Sequence, residues 1–250
     1  GRQGLPEVYM VWYFRGQLSR EFQWADFHLV SNEWLDENVR KEHGPLCALY
    51  PWTKFLMEGD TPTYLYLIPN GLSVPEKPEY GGWGGRYAWN GEFYADTVDS
   101  VEAQDGTSHT TNQATIWRWR QAYQHDFAAR ADWTVLSRSE ANHNPLVIIN
   151  GQAGKEPISI TVDGASDVKL DASESSDPDG DEMSVRWWIY REAGTYQGDE
   201  GSVSQPGDWK TTISVPHGAA GRSLHVICEV WDNGTPALGA FRRVIIRVRN

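Results

Sequence analysis

Cysteine is scarce in this chain of 250 residues, which contains only Cys47 and Cys228. Two thiols cannot build a framework of several disulfides, nor supply the four cysteine ligands of a structural zinc site. Long apolar runs are missing too, since no stretch approaches the ~20 residues that a membrane-spanning helix requires. We therefore expect a soluble globular protein with no membrane partner, while the redox compartment stays open.

Positive charge is also in short supply, because 22 Lys and Arg stand against 34 Asp and Glu and give a formal net charge of −12. Nucleic-acid affinity rests on clustered cations, and no long Lys/Arg run is present, so no nucleic-acid partner is expected. The motifs of serine hydrolases, zincins, P-loop enzymes and Rossmann dehydrogenases are absent as well. No sequence motif therefore supports any of these common enzyme classes.

Tryptophan, by contrast, is abundant, with 13 Trp beside 11 Tyr and 7 Phe. Indole rings either fill a core or stack on flat ligands. The chain begins at Gly1 with neither an initiator Met nor a signal segment, which leads us to expect a processed chain or a fragment.

Helical and strand patterns alternate in the first part of the chain. Residues 7–14 (EVYMVWYF) form an aromatic and β-branched run that predicts a buried strand. Ser31 precedes a helical pattern that reaches Arg40, and its hydroxyl is a suitable N-cap. A second helix is expected to begin at residues 60–62, and the apolar spacing of residues 111–133 predicts an amphipathic helix.

Proline and glycine are dense in residues 69–91, which predicts a loop. Its segment 81–87 (GGWGGRY) combines flexible glycines with Trp, Arg and Tyr. This combination is typical of a surface that closes over a ligand.

The second part of the chain has a different pattern. A polar segment at 137–145 (SRSEANHNP) is a natural boundary between a domain of residues 1–140 and one of residues 145–250. Beyond it, six or seven short apolar runs are separated by turn residues, as in an antiparallel immunoglobulin-like β-sandwich. Trp187 and Trp188 are adjacent on one predicted strand, so one should face the core and the other, a sugar-stacking candidate, the outside.

Three carboxylates, those of Asp177, Asp179 and Asp181, alternate in the segment DPDGD. They could converge on Ca²⁺, but Glu182 and Trp188 stand where an EF-hand loop needs its glycine and its bidentate Glu. A Pro-Asp-Gly turn between strands explains the same residues and is the favoured interpretation. The calcium alternative stays open.

Two families are similar to parts of this sequence. Residues 145–250 resemble the polycystic-kidney-disease (PKD)-type immunoglobulin-like domain in the segments 170–173 (LDAS), 175–181 (SSDPDGD), 185–187 (VRW) and 232–234 (DNG). The resemblance implies a β-sandwich and an exported protein, either secreted or periplasmic.

Most of residues 24–250 resembles the C-terminal half of a nucleoside-hydrolase-like family, whose members often carry such a sandwich and the name of cellulose-binding proteins. The matching segments are 32–38 (NEWLDEN), 43–46 (HGPL), 58–62 (EGDTP), 81–87 (GGWGGRY) and 112–120 (NQATIWRWR). The resemblance implies an α/β fold, here a partial domain, with a calcium site at the C-terminal ends of the sheet strands.

The resemblance implies that Asp60 is a calcium ligand, although a carboxylate at a helix start is also a good plain cap. Gly59 stands where nucleoside hydrolases have a His that assists the leaving base, which puts classical nucleoside hydrolysis in doubt. No Asp-rich segment precedes Asp26. The remaining calcium ligands are therefore expected from a missing N-terminal segment of the same protein.

Four residues are candidates for binding a carbohydrate or nucleoside-like ligand: His43, Trp83, Arg86 and Tyr87. His titrates near neutrality and could act as an acid, while the other three could stack on or hydrogen-bond a sugar. The alternatives are a helix-end histidine for His43 and burial beneath the glycine-rich loop for Trp83.

Three functions follow as hypotheses. The completed protein is a calcium-dependent hydrolase of N-glycosyl or related glycosyl bonds, in which metal-bound water attacks an oxocarbenium-like carbon. The alternative is a non-catalytic protein that binds a polysaccharide such as cellulose through exposed aromatic rings. In the third, the sandwich is a spacer or docking face only.

Overall fold

The computed structural model describes residues 26–52, 61–198 and 201–250. The chain divides into two compact units. The first unit consists of Gly1–Ile68 and Pro75–Ala141, and the second of Pro69–Val74 and Asn142–Asn250. The strand predicted at residues 7–14 and the calcium ligand predicted at Asp60 both lie outside the described residues.

Short helices open the described part of the first unit. A 3₁₀ turn at Phe27–Val30 leads into α1 (Asn32–Leu35), which continues as a π-helical turn over Asp36–Arg40. The Ser31 hydroxyl accepts a hydrogen bond from the Trp34 backbone N–H (3.1 Å), so the predicted N-cap and the helix reaching Arg40 are confirmed. Two further helices are α2 (Gly44–Cys47) and α3 (Thr61–Leu67).

Two small antiparallel sheets follow a 3₁₀ turn at Pro78–Tyr80. Strands β1 (Tyr87–Trp89) and β2 (Tyr94–Asp96) form one hairpin, and β3 (Asp99–Glu102) and β4 (Ser108–Thr111) form another. The predicted loop at 69–91 therefore ends in a strand. The strand forms because the chain reverses at Asn90 and Gly91 and brings β1 and β2 together.

The helix predicted over 111–133 is divided into α4 (Ala114–Trp117) and α5 (Arg120–Asp132). Trp119 between them leaves helical geometry, with φ −107° and ψ 6°. Ile116, Trp119 and Tyr123 of the predicted apolar face are buried, but so are the polar side chains of Arg120, Gln124 and Asp126, so burial of α5 is not confined to one apolar face. None of the helices in the described segments has both the length and the hydrophobicity to span a bilayer.

The described residues of the second unit form seven strands, together with 3₁₀ turns at Arg191–Ala193 and His217–Ala219. One sheet has the order β5-β11-β10-β7 and the other β6-β9-β8. The strands are β5 (Ile158–Val162), β6 (Asp167–Asp171), β7 (Met183–Ile189), β8 (Ser202–Val203), β9 (Lys210–Ser214), β10 (Ser223–Asp232) and β11 (Gly239–Val248).

The expected antiparallel sheets are present, with one difference. Strand β5 pairs with β11 in parallel, since Ile158 lies opposite Val244 and Val162 opposite Val248. Hydrophobic alternation shows which face of a strand is buried but not its direction, so the sequence could not reveal this pairing. The apolar run at 146–149 forms only isolated bridges, because the chain reverses at Asn150 and Gly151, both with positive φ.

Both sheets of the second unit contribute side chains to one core. Val168, Leu170 and Ile213 from one sheet join Val226, Val244 and their neighbours from the other. Trp187 belongs to this core and is 1% exposed, whereas Trp188 is only partly buried on the opposite face of β7. The predicted inward and outward positions of the two indoles are confirmed.

Candidate functional site

The glycine-rich segment 81–87 folds as a tight turn. Gly82 and Gly85 exchange two backbone hydrogen bonds, of 3.2 Å and 2.9 Å, around Trp83 and Gly84. Gly84 lies against the backbone of α3 at Pro62 and Tyr66, where a Cβ atom would overlap both residues. The Trp83 side chain, next to Gly84 in this turn, is buried and only 2% exposed.

Arg86 is engaged in a buried ion cluster. Its Nε donates to Asp99 Oδ1 at 2.8 Å, and its Nη2 donates to the Val98 carbonyl at 2.9 Å. Arg118 Nε lies 3.5 Å from the other Asp99 oxygen. The guanidinium of Arg86 therefore anchors the glycine-rich segment to β3.

Tyr87 continues from the same segment into β1. Its hydroxyl donates to the Gly84 carbonyl at 3.3 Å. Burial, with a smaller contribution from the negative charge of Asp96, raises the pKa of this phenol. Tyr87 is thus a neutral, half-buried donor that closes the turn.

His43 lies in a different part of the first unit, beside Asp132 at the end of α5. Its Nδ1 is 2.9 Å from Asp132 Oδ1, and its Nε2 is 3.3 Å from the Glu37 carbonyl oxygen. Burial raises the pKa of Asp132, and the attraction of His43 opposes that rise.

An open concavity of about 770 Å³ surrounds this pair. Five acidic side chains line it with one lysine and two apolar residues: Glu33, Asp36, Glu37, Glu42, Asp132, Lys41, Val135 and Leu136. Neither Trp83, Arg86 nor Tyr87 lines the concavity. The four predicted ligand-binding residues therefore occupy two separate places, and their role in binding stays a prediction.

The β1–β2 hairpin presents an aromatic surface that the sequence analysis missed. Trp89, Phe93 and Tyr94 are 57%, 56% and 42% exposed. Trp89 pairs directly with Tyr94, and their rings meet edge to face with centroids 5.4 Å apart. We call these three side chains the aromatic hairpin patch. The available signal was Asn-Gly between aromatic residues, which is typical of a hairpin turn.

Polar groups hold the aromatic hairpin patch in shape. Asn90 Oδ1 accepts the backbone N–H groups of Glu92 and Phe93, each at 3.0 Å. The Tyr94 hydroxyl donates to Glu79 Oε2 at 3.1 Å. The hairpin turn and the Tyr94 ring, against which Trp89 packs, are thus held before any ligand arrives, which reduces the entropy lost on binding.

No three His, Cys, Asp or Glu side chains in residues 26–52, 61–198 and 201–250 are grouped so that they could hold a metal ion. In the turn of Asp177, Asp179 and Asp181, two of the carboxylates make hydrogen bonds within the protein. Asp177 Oδ1 accepts the backbone N–H groups of Asp179 (2.8 Å) and Asp181 (3.1 Å), and Asp179 contacts His143. The favoured interpretation, a turn between strands, describes this segment.

Two family models match parts of this chain. Residues 8–87 match the family model of the nucleoside hydrolase-like domain of cellulose-binding Sde182, and residues 167–248 match that of the C-terminal domain of cellulose-binding protein Sde0182. No protein with a curated description matches the chain.

Among solved structures, the chain is similar to a nucleoside hydrolase-related hypothetical protein from Saccharophagus degradans, described as associated with carbohydrate metabolism. The identity is 34% and the TM-score 0.75, over 88% of this chain and 54% of that one, so this chain spans about half its length.

Two further structures match with low TM-scores. The PKD domain of the KIAA 1837 protein has 17% identity and a TM-score of 0.27, over 38% of this chain and 82% of that one. Human CDH23 EC21-23 has 16% identity and a TM-score of 0.29, over 42% and 35%.

Proposed function

We propose that this chain binds a polysaccharide such as cellulose through the aromatic hairpin patch, without catalysing a reaction. The observation that carries the proposal is the exposure of Trp89 and Tyr94 side by side on one face of a hairpin. The names of the two matching family models, both cellulose-binding, support the same ligand class.

The chemistry of the patch suits a sugar chain. One face of a glucose ring carries only C–H groups and is apolar, while its rim carries hydroxyls. Trp89 supplies an apolar ring for that face, and the Glu79 and Glu92 carboxylates beside the patch are acceptors for hydroxyls. Covering roughly 80–100 Å² of indole at about 25 cal/mol per Å² contributes about 2 kcal/mol.

Replacing Trp89 by alanine should weaken retention on insoluble cellulose by roughly 30-fold, the equivalent of about 2 kcal/mol. Trp89→Phe should recover part of the affinity, because a smaller ring still stacks. The measurement is a depletion isotherm of the full chain on microcrystalline cellulose.

Trp52→Ala is the matched control, because Trp52 is 67% exposed but lies outside the hairpin. It should leave retention unchanged. If the wild-type chain does not bind, or if both alanine variants lose the same affinity, the patch is not the binding surface.

Binding an insoluble polymer has a consequence for location and for the second unit. Such a ligand does not enter a cell, so the protein would act after export, in the periplasm or outside the cell. The second unit would then be the PKD-type immunoglobulin-like sandwich of an exported protein, a domain separate from residues 1–140. Its two sheets around one core support this assignment.

A second candidate function is calcium-dependent hydrolysis of an N-glycosyl or related bond by the complete protein. The observation in its favour is the His43–Asp132 pair at the wall of an open acidic concavity. His43, oriented by the Asp132 carboxylate, would donate a proton to the leaving group. Asp60 would be one calcium ligand, and bound calcium would polarise the attacking water.

His43→Gln should reduce hydrolysis by roughly 100-fold or more if His43 is the general acid. The assay uses the full-length native protein with nucleosides and aryl glycosides, with calcium and with a chelator. Asp60→Ala should weaken calcium binding in the same protein. Absence of turnover by the wild type, or full activity of His43→Gln, would leave binding as the only function.

A further inference from the structure

Four Asn-Gly pairs occur in this chain, at positions 70–71, 90–91, 150–151 and 233–234. In such a pair the backbone nitrogen of the glycine can attack the side-chain amide carbon of the asparagine, because glycine has no Cβ to shield its nitrogen. The reaction needs no enzyme, but it does need a nitrogen that is available and a backbone that has room to move. The surroundings of the four pairs therefore decide which of them reacts first.

The pair Asn90-Gly91 lies in the exposed turn between β1 and β2. Asn90 Oδ1 accepts the backbone N–H groups of Glu92 and Phe93, each at 3.0 Å. These two donors face the oxygen on which negative charge develops when the amide carbon is attacked, as the donors of an oxyanion hole do. They therefore lower the barrier to attack on this carbon.

Both nitrogens that take part in the reaction are available at this pair. Within residues 26–52, 61–198 and 201–250, neither the attacking Gly91 N–H nor the leaving Asn90 Nδ2 donates a hydrogen bond. No atom lies within 4 Å of the position that a Cβ of Gly91 would occupy. The glycine can therefore approach the amide carbon without a collision.

Two of the other pairs lack one of these conditions. Asn70 Oδ1 also accepts two backbone N–H groups, but Gly71 lies tightly against the Phe241 carbonyl and has no room to move. The Gly234 N–H donates to Asp232 Oδ1 at 3.0 Å, so its nitrogen is already engaged. Reaction at either pair would first require local opening of the second unit.

The fourth pair is held through the asparagine side chain. Asn150 Oδ1 accepts the Asp171 backbone N–H at 2.8 Å, and its Nδ2 donates to the Lys169 carbonyl at 3.3 Å. The side chain cannot turn toward the Gly151 nitrogen without breaking both hydrogen bonds. Among the four pairs, only Asn90-Gly91 combines an activated amide carbon with a free nitrogen and open space.

We propose that Asn90 is a site of spontaneous deamidation that weakens ligand binding by the aromatic hairpin patch as the protein ages. The Gly91 nitrogen forms a bond to Asn90 Cγ, the Cγ–Nδ2 bond breaks, and Nδ2 leaves as ammonia with the proton that the Gly91 nitrogen gives up. Water then opens the cyclic imide at either of its carbonyls. The products are an aspartyl or an isoaspartyl linkage at position 90, and neither an oxidant nor a reductant is needed.

The isoaspartyl linkage lengthens the backbone of the turn by one methylene group. The pairing of Trp89 with Tyr94 depends on this turn, in which the Asn90 backbone N–H donates to the Phe93 carbonyl at 3.1 Å. Because turn length sets the register of a hairpin, the extra atom would separate the two rings. Cellulose binding would then weaken with age, a consequence that rests on the proposed function.

The test is incubation of the full chain in mildly alkaline buffer, followed by intact mass, peptide mapping and enzymatic methylation of isoaspartyl groups. Asn90 should lose its amide at least about tenfold faster than each of the other three asparagines, a difference of about 1.4 kcal/mol in activation free energy. In step with the isoaspartyl fraction, cellulose retention of the aged wild type should fall toward that of Trp89→Ala.

Asn90→Asp separates the loss of the amide from the change in the backbone. Its carboxylate still accepts from Glu92 and Phe93, so the fresh variant should fold and bind as the wild type does. It should form the isoaspartyl linkage more slowly, because a carboxylate is a poorer electrophile than an amide, and should therefore keep its retention for longer. Asn150→Asp is the matched control and should leave the rate at Asn90 unchanged.

Equal rates at the four pairs, or an earlier reaction at any of the other three, would overturn the assignment of Asn90. Full retention by a wild-type sample that carries the isoaspartyl linkage at position 90 would overturn its effect on the patch. If the fresh wild-type chain does not bind cellulose, the proposed function fails, while the peptide map still supports or overturns Asn90 as the site of reaction.

Discussion

Replacing Asp99 by alanine should lower the free energy of unfolding of the first unit by about 3–5 kcal/mol. Asp99 is 1% exposed and faces two guanidinium groups, those of Arg86 and Arg118. Removing the carboxylate would leave two positive charges mostly buried and uncompensated. Loss of one partner of a buried ion pair is more costly than the pair itself is stabilising.

Urea unfolding of the full chain, followed by tryptophan fluorescence, measures this loss. Trp117 packs against Val101 and Ala103, at the end of β3 that follows Asp99, and reports on the cluster. Asp99→Asn should cost less than alanine, because the amide oxygen can still accept from Arg86. Glu102→Ala, an exposed position on the same strand, should leave the midpoint unchanged. A loss below about 1 kcal/mol in Asp99→Ala would mean that water reaches the cluster.

Gly84→Ala should destabilise the first unit by about 3 kcal/mol, at the upper end of the cost of overpacking. The added Cβ would overlap the Pro62 carbonyl and lie 2.5 Å from Tyr66 Cβ and 2.8 Å from the Tyr66 nitrogen. Because most of these atoms are backbone, no side-chain rotation can relieve the overlap. The glycine-rich turn would have to move away from α3.

Thermal unfolding of the full chain compares this variant with Gly207→Ala. A Cβ at position 207 meets no atom within 4 Å, so its midpoint should stay near that of the wild type. Exposure of Trp83 in Gly84→Ala should also shift its fluorescence to the red. Equal midpoints for the two variants would show that α3 and the turn are not in close contact in solution.

The sequence predicted features that depend on neighbouring residues alone. The Ser31 cap, the burial of Ile116, Trp119 and Tyr123, and the opposite orientations of Trp187 and Trp188 are local features, since each follows from helix or strand geometry. Local rules could not show the similarity to nucleoside-hydrolase-like proteins, which came from comparing several motifs with a known family.

The candidate site was less accessible to sequence reasoning. Arg86 and Tyr87 were predicted from composition as ligand-binding groups, but the partners of Arg86 include Asp99, thirteen positions along the chain. The aromatic hairpin patch was hidden inside a segment interpreted as a loop. The breakers that suggested a loop included the Asn-Gly pair that makes the hairpin.

Composition, local pattern and motif resemblance alone determined the acidic balance, the strand-rich second half, the Ser31 helix cap and the similarity of this chain to nucleoside-hydrolase-like proteins. Only the tertiary structure decided which aromatic rings are exposed, that β5 runs parallel to β11, and that Asp99 pairs with Arg86 and Arg118. The physical reason is that exposure, strand direction and charge pairing depend on contacts between residues far apart in the chain, and local periodicity contains no information about those partners.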